Sequence, residues 1–75
     1  MTTEPADLVV CIDNSGYEAA LERRKLYVLL PDAEVEAKGL LRVIDESGED
    51  YLYPARMFHT VELPVAVRRA IFEAA

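Results

Sequence analysis

The side chains that could do chemistry in this sequence are few and scattered. His59 is the only histidine and Cys11 the only cysteine. General acid–base work needs a partner group and a pocket, and His59, following Phe58 in a strand-like run, reads as a surface or half-buried residue. A reactive thiol needs a cation or a helix N-terminus beside it. Cys11 lies instead in the apolar run Leu8-Val9-Val10-Cys11-Ile12 with an acid after it, which is the setting of a buried structural thiol. No Ser/His/Asp, Cys/His or zinc spacing occurs, and three glycines make no phosphate cradle. Asp45, Glu46, Glu49 and Asp50 crowd one hairpin and could offer oxygens to a hard cation. Their spacing is not the alternating one of a calcium loop, and such a run is also a solvated tip that discourages edge pairing. The sequence therefore assigns no catalytic residue, no metal and no cofactor.

Aromatic residues are the more informative set. Tyr17, Tyr27, Tyr51 and Tyr53 accompany Phe58. Tyrosine suits interfaces because its ring is apolar and its tip polar, and aromatic grooves dock extended or Pro-rich peptides. Tyr27 and one of Tyr51 or Tyr53 are expected in the core. Tyr17, Tyr51 and Tyr53, with Glu49 and Asp50 on the acidic hairpin, form the expected partner-binding set. The segments Ile12-Asp13-Asn14-Ser15-Gly16 and Ile44-Asp45-Glu46-Ser47-Gly48 match at four of five positions. They read as one turn chemistry used twice, with a cation site or docking rim as the functional alternative. A basic triplet, Arg23-Arg24-Lys25, and Arg42 give a second reading, contact with RNA. The net charge of −6, from 14 acidic against 8 basic residues, opposes it, because nucleic-acid binding relies on Lys and Arg.

These residues need a frame, and 75 residues allow one domain. A chain this short buries only roughly 60% of its unfolded surface, so a deep substrate cavity would hollow out most of the core. At 52% apolar residues the composition is globular. Residues 1–7 read as a flexible leader. Strands are expected at Leu8–Ile12, Lys25–Leu30, Leu40–Asp45, Asp50–Tyr53 and His59–Leu63, separated by turn-forming clusters. Tyr17–Leu21 reads as a loop with a helical turn. Ala33–Lys38 reads as one or two helical turns ended by Gly39, and Ala55–Phe58 as a single tight turn. Pro64 starts a helix over 64–75 whose Val67, Ala70, Ile71 and Ala74 make an apolar stripe. The fold class is mainly β: a small five-stranded SH3-like barrel over 8–63 with the C-terminal α-helix packed on it. The alternative is a flat antiparallel sheet with that helix across one face.

The run Cys11-Ile12-Asp13-Asn14-Ser15-Gly16-Tyr17, then Lys25-x-Tyr27, then Arg42 to Pro54 ending in Glu49-Asp50-Tyr51-Leu52-Tyr53-Pro54, and Phe58, resembles a group of short bacterial and phage proteins expected to be SH3-like barrels. The resemblance spans roughly residues 9–63. This chain departs from the pattern at Arg24, where such proteins carry Gly, and adds the C-terminal helix. The resemblance implies a barrel fold and a cytosolic setting, and it brings no function with it.

The expectations are then a non-enzymatic interaction module that binds a protein partner through a Tyr-bearing face. Nucleic acid is disfavoured as a partner. No apolar run approaches the roughly 20 residues that span a bilayer, and the first residues lack a basic-then-apolar signal. With a lone cysteine, the expected setting is the cytoplasm. The expected state is a monomer, because Pro64 leaves little linker between the last strand and the helix.

Overall fold

Alternating β-branched and aromatic residues between turn clusters favour short strands, and the computed structural model, which describes residues 7–74, contains five. They are β1 (Asp7–Cys11), β2 (Leu26–Leu30), β3 (Leu40–Ile44), β4 (Asp50–Pro54) and β5 (Phe58–Thr60). Two helices, α1 (Ala33–Glu36) and α2 (Val65–Ala74), and a 3₁₀ turn at Ala55–Met57 complete the order. All strands join one antiparallel sheet in the order β4-β3-β2-β1-β5. Among the described residues no ladder joins β4 to β5, so the sheet is open and the barrel expected from the sequence is only approximated. At the 3₁₀ turn the Met57 carbonyl accepts from Ile12 N–H at 2.8 Å, which carries the β1–β5 pairing one residue past Cys11.

Period-two alternation sorts the strand residues onto two faces. Val9, Cys11, Tyr27, Leu29, Val43 and Tyr53 lie on one, and Leu21, Met57 and Phe58 close over them as the main core. Leu8, out of phase with Val9, is buried on the other face. The segment between β1 and β2 is pinned by Leu21, which is fully buried. Its amide bonds the Tyr17 carbonyl at 2.9 Å, which supplies the helical turn expected there. α1 forms because Asp32 caps it, its carboxylate accepting from the amides of Glu34 and Val35. Gly39 follows at φ +81°, as a helix stop requires.

The main departures from the sequence reading are at the start of β1, the end of β5 and the facing of α2. Asp7, assigned to the leader, begins β1 opposite Leu29; the rest of the expected leader, residues 1–6, lies outside the described residues. β5 ends at Thr60, short of Leu63, though Val61 N–H still bonds the Leu8 carbonyl at 3.1 Å. In α2 the half-buried positions are Arg68, Ile71 and Phe72, while Val67 stays 46% exposed. The side chain of Ala74, placed in the expected stripe, lies outside the described set. The inward stripe is turned toward Arg68 because that side chain has its own anchors. Its guanidinium pairs with Asp7 at 3.3 Å and lies over the Phe72 ring, 5.1 Å from its centroid. That ion pair ties α2 to β1 of its own chain.

Candidate functional site

Tyr53 is the base of the aromatic site. It is only 4% exposed, and its hydroxyl donates to Asp45 Oδ2 at 2.5 Å. Tyr17, from the β1–β2 segment, sets its ring edge-on against Tyr53, with centroids 5.1 Å apart and planes at 86°. Phe58 and then Tyr27 continue the edge-to-face contacts into the core. Tyr51, two residues before Tyr53 on β4, lies on the same face of the sheet. Tyr17 and Tyr51 remain 41% and 50% exposed. Of the expected core residues, then, Tyr27 and Tyr53 are buried, which removes Tyr53 from the expected partner-binding surface, while Tyr17 against Tyr53 and Tyr51 beside it on β4 stay exposed.

Asp45 holds this base in place. It is 7% exposed and accepts from Ser47 N–H at 2.8 Å, Ser47 Oγ at 2.6 Å and Tyr53. Burial pushes its carboxyl up, but the bonds from Ser47 and Tyr53 together outweigh that and hold it below the usual carboxylate value. Burial, reinforced by the Asp45 carboxylate, raises the Tyr53 phenol far above its usual value. The Tyr51 hydroxyl donates to Glu49 Oε1 at 3.1 Å, and that carboxylate raises it too. Glu49 therefore stands at the rim beside Tyr51.

Asp50, expected in the same set, is separated from it. It precedes Tyr51 and so points to the opposite face, where its carboxylate pairs with Arg42 at 3.1 Å. Arg42 also bonds Asp32, through Nε at 3.1 Å and through a terminal nitrogen at 3.0 Å. The four hairpin carboxylates thus go to separate partners. Glu46 takes Lys25 Nζ at 2.6 Å and the Tyr27 hydroxyl at 2.6 Å, which lower its pKa in that order. Among the described residues no three potential metal ligands converge. The two matched turns share one device: Ser15 N–H bonds Asp13 Oδ1 at 2.9 Å as Ser47 N–H bonds Asp45, an Asx turn in each case.

The basic triplet is divided as well. Lys25 is paired with Glu46, and Arg42 with two aspartates, which leaves Arg23 and Arg24 as the remaining motive for an RNA surface. Arg24 has a structural role that the sequence alone did not disclose. Its amide bonds the Cys11 carbonyl at 2.7 Å, while Cys11 N–H bonds the Lys25 carbonyl at 3.0 Å. Two residues thus oppose one, which makes a β-bulge whose first position ordinarily takes glycine, and Arg24 holds φ +70° there. Cys11 is fully buried, and burial raises its thiol pKa. His59 is exposed, its ring Nδ1 3.0 Å from the Thr60 carbonyl. A shallow cleft of about 260 Å³ is lined by Asp7, Leu8, Thr60, Val61, Glu62 and Arg68, and contains none of the tyrosines.

Sequence reasoning placed the tyrosines and missed their support. The Asp45–Tyr53 bond joins residues eight apart across the β3–β4 hairpin, and its one signal was a turn aspartate followed by an alternating Tyr-x-Tyr. Among the described residues no helix is long and apolar enough to cross a membrane. Comparison with known protein families, curated proteins and solved structures finds no match.

Proposed function

We propose that this domain is a non-enzymatic interaction module that docks an extended segment of a protein partner over Tyr17 and Tyr51. The observation that carries the reading is the ring arrangement. Exposed Tyr17 packs edge-on against buried Tyr53, which Asp45 fixes from below, and exposed Tyr51 lies on the same face of β4, two residues from Tyr53. Rigid aromatic rings lose little side-chain entropy when covered, which is why such residues concentrate binding energy. Glu49 at the rim and the overall charge of −6 favour a partner segment carrying Lys or Arg, with an apolar or Pro residue against the rings.

Retention from native lysate tests the reading. The immobilised domain is expected to retain a specific protein, and the Tyr17→Ser/Tyr51→Ser double variant to release it. Tyr53 is a poor choice for this test, since its loss would strand Asp45 and disturb the fold. A wild-type domain that retains nothing above background, or a double variant that retains the same protein equally, would refute the reading.

A further inference from the structure

The backbone of β4 has an unused side, and the hydrogen bonds around it fix which residues own it. Asp45 N–H donates to the Glu49 carbonyl at 3.1 Å, and Ala55 N–H to the Gly39 carbonyl at 2.9 Å. Between these pairs the register sets Val43 opposite Tyr51 and Leu41 opposite Tyr53. Antiparallel pairs alternate between bonded and non-bonded, so Tyr51 and Tyr53 spend their amides and carbonyls on β3. Asp50, Leu52 and Pro54 therefore aim theirs outward, and β4 is the last strand of the sheet. Among the described residues no other strand pairs with them, although the Pro54 carbonyl, at the N-cap of the 3₁₀ turn Ala55–Met57, already accepts the first bond of that turn.

We propose that two copies of the chain join β4 edge to β4 edge, antiparallel about a two-fold axis at Leu52, to form one continuous sheet. The edge is complementary to itself in this register. Leu52 N–H and C=O exchange two bonds with Leu52 of the second copy. Asp50 N–H falls opposite the Pro54 carbonyl of the second copy, and the reverse; that oxygen already serves the 3₁₀ turn and offers only its second lone pair, so the Leu52 pair is the centre of the junction. The N–H that Pro54 lacks falls opposite the Asp50 carbonyl, at the end of the strand where water reaches it. The two-fold makes the interface isologous and closed.

The side chains agree with this occupant. Edge strands are usually blunted by unpaired charge, above all Lys, yet the centre of β4 is Leu52, 42% exposed, which would meet its own copy on one face. The acid beside it, Asp50, is already neutralised by Arg42. In this register the two Asp50 residues lie four positions apart along the strands, about 14 Å, beyond a Debye length at physiological salt. On the other face Tyr51 would stand beside Tyr53 of the second copy, extending the aromatic row. The monomer expected from the sequence rested on α2 packing onto its own chain, and that contact leaves the β4 edge untouched. The dimer would border the docking face at Tyr51, and Leu52, which points to the opposite face, is the position that tests the dimer without altering that face.

Sedimentation velocity over a concentration series, with Leu52→Lys beside wild type, tests the proposal. Wild type is expected to pass from monomer to dimer as concentration rises. Leu52→Lys, a substitution at an exposed position, is expected to stay monomeric with an unchanged melting temperature. Amide exchange gives a second readout in unaltered protein: the Asp50 and Leu52 amides slow as the dimer fills, while that of Tyr51, already bonded to β3, does not respond. Wild type that stays monomeric at every concentration would overturn the proposal. So would a dimer that survives Leu52→Lys, or one in which the Asp50 and Leu52 amides exchange at a concentration-independent rate.

Discussion

Removing Asp45 tests whether the aromatic site stands on that carboxylate. Tyr53→Phe keeps the ring and deletes one bond to a charged acceptor, so a loss of about 1.5 kcal/mol is expected. Asp45→Ala deletes all three bonds that the carboxylate accepts. It also leaves the phenol of Tyr53, 4% exposed, without an acceptor, and the expected loss is about 3 kcal/mol. In the double variant no hydroxyl is stranded, and its total falls short of the sum of the singles by about 1–2 kcal/mol. For a domain of this size each kcal/mol moves the melting temperature by roughly 4–8 °C, so thermal melts of the four proteins resolve the cycle. Single losses that add to within about 0.5 kcal/mol would show the two groups to be uncoupled and refute the account of how Tyr53 is held.

Three further outcomes follow from the same geometry. Arg24→Gly relieves a left-handed conformation that costs a residue with a side chain about 1–2 kcal/mol; part of the gain is offset by glycine's greater unfolded freedom. The melting temperature is expected to rise by several degrees, and a fall would mean that the Arg24 side chain contributes more than its backbone costs. Tyr27 and Tyr53 are both raised by burial and by a carboxylate neighbour. Their contribution to stability is present below the unfolded tyrosine pKa near 10 and is lost as pH climbs toward the folded values. Absorbance titration is expected to show part of the tyrosine signal appearing only with alkaline unfolding, and a single ordinary transition for all four would contradict the burial. Deleting 64–75 removes the half-buried Ile71 and Phe72, worth about 2 kcal/mol together at half of their full-burial value, and should lower the melting temperature by about 10 °C; an unchanged melt would show that α2 adds nothing in cis.

Much of the fold was legible because each strand carries its own signal. Leu26–Leu30 is apolar on both faces, and the Asp-x-Ser-Gly turns punctuate the chain at both hairpin-like ends. The openness of the sheet was not legible, since closure depends on how β4 and β5 diverge after Pro54 and not on any local pattern. The facing of α2 departs from the expected stripe because a stripe drawn from apolar residues alone leaves out Arg68, while Val67 and Ala70 stay exposed. The partner of Arg68, Asp7, is 61 residues away, and no helical periodicity reports such a pair. Tyr17, Tyr51 and Tyr53 are grouped as candidates by residue type alone, and residue type does not tell which of Tyr51 and Tyr53 is buried; the structure buries Tyr53. Asp50 was grouped with them by proximity in sequence, although strand alternation turns it to the other face, where Arg42 claims it.

The docking face is tested most directly by amide chemical-shift mapping of the labelled domain while the retained partner, or its binding fragment, is added. Perturbations centred on Tyr17, Glu49 and Tyr51, and absent from the Tyr17→Ser/Tyr51→Ser variant, are predicted. Perturbations confined to the opposite face, around Leu26, Leu30 and Arg42, with Tyr17 and Tyr51 unmoved, would contradict the account.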